Sequence, residues 1–143
     1  MTTVNGMLAG KQGTVWSITP GATGRGALDL MTEKNVSALP VLDRDRLVGI
    51  ISERDFVRKV FEKLPAGQSV LVSDIMTRQV ICVTLAHTTE ECMALMIDKH
   101  IRHLPVVQDN RLVGMLSIRD LVSEVLSEKD FTIEQMRHYI CGS

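Results

Sequence analysis

The sequence predicts an α+β fold in which two copies of a strand–helix–strand–strand–helix unit pack about a pseudo-twofold axis. The main observation is an internal repeat, since several motifs recur 65 residues further along the chain. They are Leu39-Pro40-Val41 with Leu104-Pro105-Val106, Arg46-Leu47-Val48-Gly49 with Arg111-Leu112-Val113-Gly114, and Ser52, Arg54 and Asp55 with Ser117, Arg119 and Asp120. A unit of roughly 50 residues buries too little surface to be stable alone, so we expect the copies to share a core.

The first half of each unit is a strand followed by a helix. A β-branched run opens each copy, at 15–18 and at 80–83. Thr23 and Thr88 are suited to cap the start of the helices that follow, and Asn35 is suited to end the first of them.

A hairpin and a last helix complete the unit. In the first copy, strands are predicted at 38–42 and 46–51, with a polar turn at 43–45 between them. The last helix is predicted to start near Ser52, and near Ser117 in the second copy.

Four segments are predicted along the chain. They are a first repeat at 8–64, a linker containing Pro and Gly at 65–72, a second repeat at 73–128, and a C-terminal helix and tail at 129–143. The tail helix is too short to be stable alone, so it must dock on its own chain or on another.

Composition excludes several classes of function. The chain has 143 residues and a net charge of −1, so it has no bulk attraction for nucleic acid or for an anionic membrane. It has no apolar run long enough to span a bilayer and no signal-peptide pattern, which predicts a cytoplasmic protein. Three cysteines without a C-x-x-C pair argue against a disulfide framework and a zinc cluster.

The duplicated Ser-x-x-Asp motif is the strongest sign of chemistry. A carboxylate can accept both hydrogen bonds of a ribose cis-diol, and a hydroxyl at a helix start lies where backbone N–H groups favour a phosphate. Gly49 and Gly114 precede the two motifs and would let a ligand approach the backbone closely. The alternative is structural, because a Ser followed three residues later by an acid is also a helix cap.

These motifs resemble a known family. The Leu-Pro-Val strand, the Arg-Leu-Val-Gly hairpin and the runs Gly49-Ile50-Ile51-Ser52-Glu53-Arg54-Asp55 and Gly114-Met115-Leu116-Ser117-Ile118-Arg119-Asp120 are similar to the CBS domain. The pair resembles a Bateman module of the free-standing bacterial type. The resemblance implies that the Ser hydroxyl and the Asp carboxylate hold the ribose and phosphate of an adenine nucleotide (AMP, ADP, ATP or NAD).

The resemblance also assigns roles to residues outside the motif. Arg102 and His103 are placed to contact phosphate, whereas the first copy has Ser37 and Ala38 there, so two unequal pockets are expected. The alternative is that Arg102 and His103 are exposed strand-edge residues. Thr19 and Thr84 are expected at the pocket rim, and Arg54 and Arg119 in the first helical turn. Lys11, Arg58 and Lys59 are expected to be plain surface charges.

Apolar walls are expected for the adenine. With one Trp, one Tyr and three Phe in the chain, aliphatic walls are favoured over aromatic stacking. The candidate wall residues are Ile18, Val36, Ala38, Pro40 and Ile51, with Val83, Ile101, His103, Pro105 and Leu116 as their counterparts.

The sequence therefore predicts a regulatory nucleotide sensor and not an enzyme. We expect a homodimer formed through apolar helix positions such as Phe56, Val60 and Phe61, and an unidentified regulated protein that reads the ligand state. Two alternatives stay open: a dimerisation or scaffold module with degenerate pockets, and a small enzyme that uses Asp55, Asp120 or His103 as a general base.

Overall fold

Each repeat is built on a two-stranded antiparallel hairpin with helices packed against it. The structure is a computed structural model that describes residues 2–11, 15–60 and 70–128. The first half contains α1 (Val4–Gly10), α2 (Gly24–Lys34), β1 (Ala38–Asp43), β2 (Arg46–Ser52) and α3 (Glu53–Asp55), which continues as a π-helical turn (Phe56–Val60). The second contains α4 (Val72–Ile75), α5 (Thr89–Lys99), β3 (His103–Gln108), β4 (Arg111–Ser117) and α6 (Ile118–Glu128). The end of the predicted helix at Phe61, most of the predicted linker and the predicted tail helix lie outside the described residues.

The hairpins and caps confirm the local predictions. Arg44 and Asp45 adopt left-handed conformations with φ of 50° and 65°, as the tight turn between β1 and β2 requires. The Thr23 hydroxyl accepts a hydrogen bond from the Gly26 N–H at 3.0 Å, and Thr88 caps α5 in the same way. Asn35 ends α2 in a left-handed conformation.

The predicted opening strands are wrong. Each run makes a single parallel bridge, between Ile18 and Val41 and between Val83 and Val106. Extending either ladder toward the N-terminus would require an N–H from Pro40 or Pro105, and proline has none. The β-branched runs therefore lie beside the hairpins as extended chain.

The two cores exchange their leading helices. Val4 and Met7 of α1 are buried in the core of the second repeat, which includes Val83, Cys92, Met96, Leu104, Val106, Leu116 and Leu121. Val72 and Ile75 of α4 are buried in the core of the first, which includes Ala27, Met31, Leu39, Val41 and Ile51. The sequence did not predict α1 or α4.

Contacts between the repeats are continuous, since β2 of the first repeat also contacts β4 of the second. The repeats are thus joined by this strand contact and by the exchange of α1 and α4. The predicted segment boundaries along the chain stay a prediction. Within the described ranges, none of the helices combines the length and the apolar character that crossing a membrane would need.

Candidate functional site

Two clefts lie between the repeats, and each is built from both. The first cleft has a volume of about 590 Å³ and joins Ser52, Arg54 and Asp55 of the first repeat to a wall from the second, formed by Ile101, Arg102, His103 and Pro105. The second cleft, of about 1120 Å³, joins Ser117 and Arg119 of the second repeat to a wall from the first, formed by Val36, Ser37, Ala38 and Pro40. Small-molecule sites typically enclose about 300–1,000 Å³, so the first cleft falls within this range and the second lies slightly above it.

The clefts share one wall. Ser37, Glu53, Arg102 and His103 line both of them, and the Ser37 Oγ lies 3.0 Å from the His103 Nε2. We expected the basic pair to serve one pocket only, whereas the structure places it between the two.

Asp55 is buried, and both oxygens of its carboxylate contact donor groups of its own chain. Oδ2 accepts hydrogen bonds from the Ser52 N–H at 2.8 Å and the Ser52 hydroxyl at 3.2 Å. Oδ1 accepts one from the Thr77 hydroxyl at 2.9 Å and pairs with the Lys59 Nζ at 3.1 Å. A carboxylate has about four acceptor positions. A ribose diol could therefore reach Asp55 only by displacing one of these partners.

Asp120 has the same motif but a more open environment. Its Oδ2 accepts from the Ser117 N–H at 2.8 Å and from the Lys11 Nζ at 3.0 Å, while Oδ1 has no partner among the described residues. Burial alone would raise the pKa of Asp120, but the bond from the Ser117 N–H and the contact with Lys11 outweigh it and lower the pKa. Asp120 lies behind the lining of the second cleft and touches it through Ser117 and Lys11.

The lysines have a larger role than the sequence indicated. Lys11 pairs with Asp120 and also donates to the Met115 carbonyl at 2.7 Å. Lys59 pairs with Asp55 one helical turn away. The expectation of plain surface charges does not hold for these two residues. Arg58 is exposed and lines the first cleft.

The surroundings of His103 favour its neutral form. Burial lowers its pKa, Lys11 and Arg102 act in the same direction, and Asp120 opposes them. A neutral imidazole can exchange a hydrogen bond with the Ser37 hydroxyl without a buried charge. The contact links the two repeats at the shared wall.

The strand residues that face the clefts alternate with those that face the cores. Ile50 lines the first cleft and Met115 lines the second, whereas Ile51 and Leu116 are fully buried in the cores. Side chains of consecutive strand residues point to opposite faces. The prediction that Ile51 and Leu116 form cleft walls is therefore wrong by one residue, since the preceding residue of each strand faces the cleft.

Other proposed wall residues also belong to the cores. Val83 is fully buried in the second core, and Ile18 packs against the first. Val36, Ala38, Pro40, Ile101, His103 and Pro105 do line the clefts.

Trp16 is a cleft residue that the sequence analysis missed. It lines the second cleft, and the Lys34 Nζ lies 4.1 Å from the centre of its ring. Its counterpart in the first cleft is Ile81, so an aromatic surface is present in one cleft and an aliphatic one in the other. The position of Trp16 in a predicted strand did not indicate that it lines the second cleft.

The threonines proposed for the rim lie outside both sets of lining residues. The Thr19 carbonyl accepts from the Ala22 N–H at 3.2 Å, which forms a turn before α2. The Thr84 N–H donates to the His87 Nδ1 at 2.9 Å. Both contacts are local. In the described part of the chain, no three His, Cys, Asp or Glu side chains come together in a way that could hold a metal ion.

Comparisons with known proteins identify the family of the chain. The model of the CBS domain matches residues 14–62 and 72–127, one match for each repeat. The chain belongs to the CBS-domain family. A CBS pair of this kind is a regulatory module, and the sequence prediction of two CBS repeats with mixed helix and strand is confirmed.

Solved structures resemble the CBS pair over most of its length. One is a putative signal-transduction protein with CBS domains from Burkholderia ambifaria, 40% identical, with a TM-score of 0.85 over 92% of this chain and 99% of that one. Another is CBSX2 in complex with AMP, 29% identical, with a TM-score of 0.73 over 90% of this chain and 99% of that one.

A curated relative is longer than this CBS pair. It is the mitochondrial CBS domain-containing protein CBSX3 of Arabidopsis thaliana, 38% identical over 121 residues. The match covers 81% of this chain and 59% of the length of that relative.

Proposed function

We propose that this CBS pair binds an adenine nucleotide in the clefts between its repeats and thereby senses the energy or redox state of the cytoplasm. The ligand would be AMP, ADP, ATP or NAD. Its binding would bias the arrangement of the repeats, and a regulated protein, still unidentified, would read that change. A ligand shifts such an equilibrium only by its differential affinity for the two arrangements.

The observation that supports this proposal best is the set of unpaired cations lining the two clefts. Among the described residues, Arg58, Arg102 and Arg119 have no side-chain hydrogen bond or ion pair, and each lines a cleft. Guanidinium groups bind phosphate through two parallel hydrogen bonds. The CBSX2 structure holds AMP, which supports an adenine nucleotide as the ligand here.

The experiment is a thermal unfolding series with millimolar AMP, ADP, ATP and NAD in turn. A ligand at 100 times its dissociation constant stabilises the folded state by about 2.7 kcal/mol, which would raise the melting temperature by several degrees. Arg102→Ala should reduce the shift. Arg111→Ala, which removes an exposed cation outside both clefts, is the matched control and should leave it unchanged. A midpoint that none of the four nucleotides moves would contradict the proposal.

A second candidate function is a scaffold with degenerate pockets. The saturated carboxylate of Asp55 favours it, because the first cleft offers no open acceptor on that residue for a ribose. The same unfolding series separates the two functions, since a scaffold would bind none of the nucleotides.

We also propose that the module is a homodimer. Val57 and Ile97 are exposed apolar side chains, at 69% and 73%, whereas Phe56 packs against the first core. The inward position of Phe56 corrects its expected role, and the side chains of Val60 and Phe61 lie outside the described residues. Sedimentation at micromolar concentration should give twice the mass of 15.9 kDa for the chain, and Val57→Asp with Ile97→Asp should reduce it to one.

A further inference from the structure

The wall between the clefts belongs to both of them. Arg102 and His103 come from the second repeat, Ser37 and Glu53 from the first, and all four line both clefts. The bond between Ser37 and His103 fixes the two halves of this wall to one another at 3.0 Å. A charged side chain on this wall is therefore available from either side.

Most other cations of the clefts are already bound. Lys59 is paired with Asp55, Lys11 with Asp120, and the Arg54 guanidinium donates to the His100 carbonyl at 2.7 Å. Three lining arginines of the described chain remain. Arg58 lines the first cleft only, Arg119 the second only, and Arg102 both.

We infer that Arg102 serves one phosphate-bearing ligand at a time, so that binding in one cleft weakens binding in the other. This inference rests on the proposed function and concerns how the two clefts are coupled. When the Arg102 guanidinium donates two parallel hydrogen bonds to a phosphate, both N–H groups point into the cleft that holds this phosphate. A second phosphate in the adjoining cleft can then bind only the arginine that lines that cleft alone, Arg58 or Arg119. It is also repelled by the negative charge of the first phosphate. Couplings between sites commonly change affinity 5- to 150-fold.

The single tryptophan allows the clefts to be measured separately. Trp16 lines the second cleft only, so its fluorescence reports binding there, while calorimetry reports both clefts. The probe is AMP, and adenosine, which lacks the phosphate, is the matched control ligand.

The decisive variants weaken one cleft and read the other. Arg58→Glu should weaken the first cleft, and Arg119→Glu the second; both residues are exposed. In at least one of these variants, we expect AMP to bind the opposite cleft at least about fivefold more tightly than in the wild type. Simple loss of positive charge would weaken the opposite cleft, so the direction of the change identifies the cause.

Adding Arg102→Ala to either variant should abolish the gain, and adenosine should show no gain in any variant. Arg102 is exposed, and its contact with α6 is made by its backbone carbonyl, which accepts from the Ile118 N–H at 2.8 Å, so this substitution leaves the fold intact.

Two results would overturn the inference, and they differ in what else they overturn. If the affinity of the opposite cleft for AMP is unchanged or lower in both variants, the clefts bind nucleotide without sharing Arg102, and the proposed function survives. If AMP and adenosine bind to neither cleft of the wild type, the proposed function fails and the coupling fails with it.

Discussion

At the residue scale, the aspartates of the two Ser-x-x-Asp motifs differ in burial and in the number of groups that contact their carboxylates. The Asp55 side chain is 9% exposed and contacts four donor groups of three residues, whereas the Asp120 side chain is 28% exposed and has one oxygen without a partner among the described residues. Removing a buried acceptor leaves its donors unsatisfied. We expect Asp55→Ala to lower the free energy of unfolding by about 2–4 kcal/mol, and Asp120→Ala by about 1–2 kcal/mol.

Urea unfolding of the two variants measures this difference. Asp98→Ala is the control, because its ion pair with Lys99 lies at the surface, and it should change stability by less than about 0.5 kcal/mol. Equal losses for Asp55→Ala and Asp120→Ala would show that burial does not distinguish the two motifs.

The lowered pKa of His103 gives a pH dependence with a defined sign. The unfolded chain takes up a proton at His103 near its ordinary value of about 6.5, while the native state, where burial and the charges of Lys11 and Arg102 outweigh Asp120, takes it up only at lower pH. Stability contributed by neutral His103 is therefore full above about pH 6.5 and decreases as the pH falls through the native value. Its slope is at most about 1.4 kcal/mol per pH unit.

The measurement compares urea unfolding of the wild type and His103→Gln at about pH 7.5 and about pH 5.5. Glutamine can still bond to the Ser37 hydroxyl but does not titrate, so the variant should lose less stability on acidification. The other histidines contribute equally to both proteins. An equal or larger loss in the variant would rule out the neutral state of His103.

Which residues could be predicted depended on how far apart their partners lie in the sequence. The Ser-x-x-Asp bonds span three residues, and their capping geometry was foreseen. The Asp55–Lys59 pair has the spacing of one helical turn and was available from the sequence. The partner of Asp120 is Lys11, 109 residues away, and no local pattern connects them.

At the scale of the elements, the docking of α1 on the second repeat depends on a glycine. A Cβ added at Gly114 would lie 2.7 Å from the Leu8 Cδ1 and 2.8 Å from its Cδ2. We expect Gly114→Ala to cost about 1–3 kcal/mol by overpacking, and Leu8→Ala to relieve part of that cost. In a double-mutant cycle measured by urea unfolding, the coupling energy should exceed about 0.5 kcal/mol.

Gly49 provides the matched comparison. A Cβ there would lie 2.6 Å from the Met76 Sδ but also 3.1 Å from the backbone oxygen of Thr77. Met76→Ala should therefore rescue Gly49→Ala less completely than Leu8→Ala rescues Gly114→Ala. Strictly additive losses at both positions would mean that α1 and α4 do not pack as described.

The elements that the sequence predicted correctly are those fixed by local chemistry. Threonine caps, the helix end at Asn35 and the polar hairpin turn are properties of a few neighbouring residues. The opening runs make only single bridges because Pro40 and Pro105, in the strands they pair with, have no backbone N–H. That outcome depends on which residues lie opposite each run and not on the run itself. The exchange of α1 and α4 depends on the tertiary fold, which repeat spacing alone does not reveal.

At the scale of the whole molecule, the exchanged helices mean that a cut between the repeats divides both cores. A fragment of residues 1–64 lacks Val70, Val72, Ile75 and Met76, which are buried in the first core, and carries α1, whose partner core is absent. A fragment of residues 12–78 keeps all the buried members of the first core and leaves α1 out. All four side chains missing from fragment 1–64 are buried, Val72 and Ile75 fully, and the loss of each costs about 2 kcal/mol.

We therefore expect fragment 12–78 to unfold cooperatively in urea and fragment 1–64 to show no folded baseline. Fragment 1–64 should fail to fold even though it contains the whole first repeat, 8–64, as the sequence defines it. Both contain Trp16, so its fluorescence and far-ultraviolet circular dichroism can be compared directly. Mixing fragment 1–64 with fragment 65–143 should restore a cooperative transition, because each supplies the helix that the core of the other lacks. If fragment 1–64 folds alone as well as fragment 12–78, each repeat is self-sufficient and the exchange of α1 and α4 contributes little to the stability of the pair.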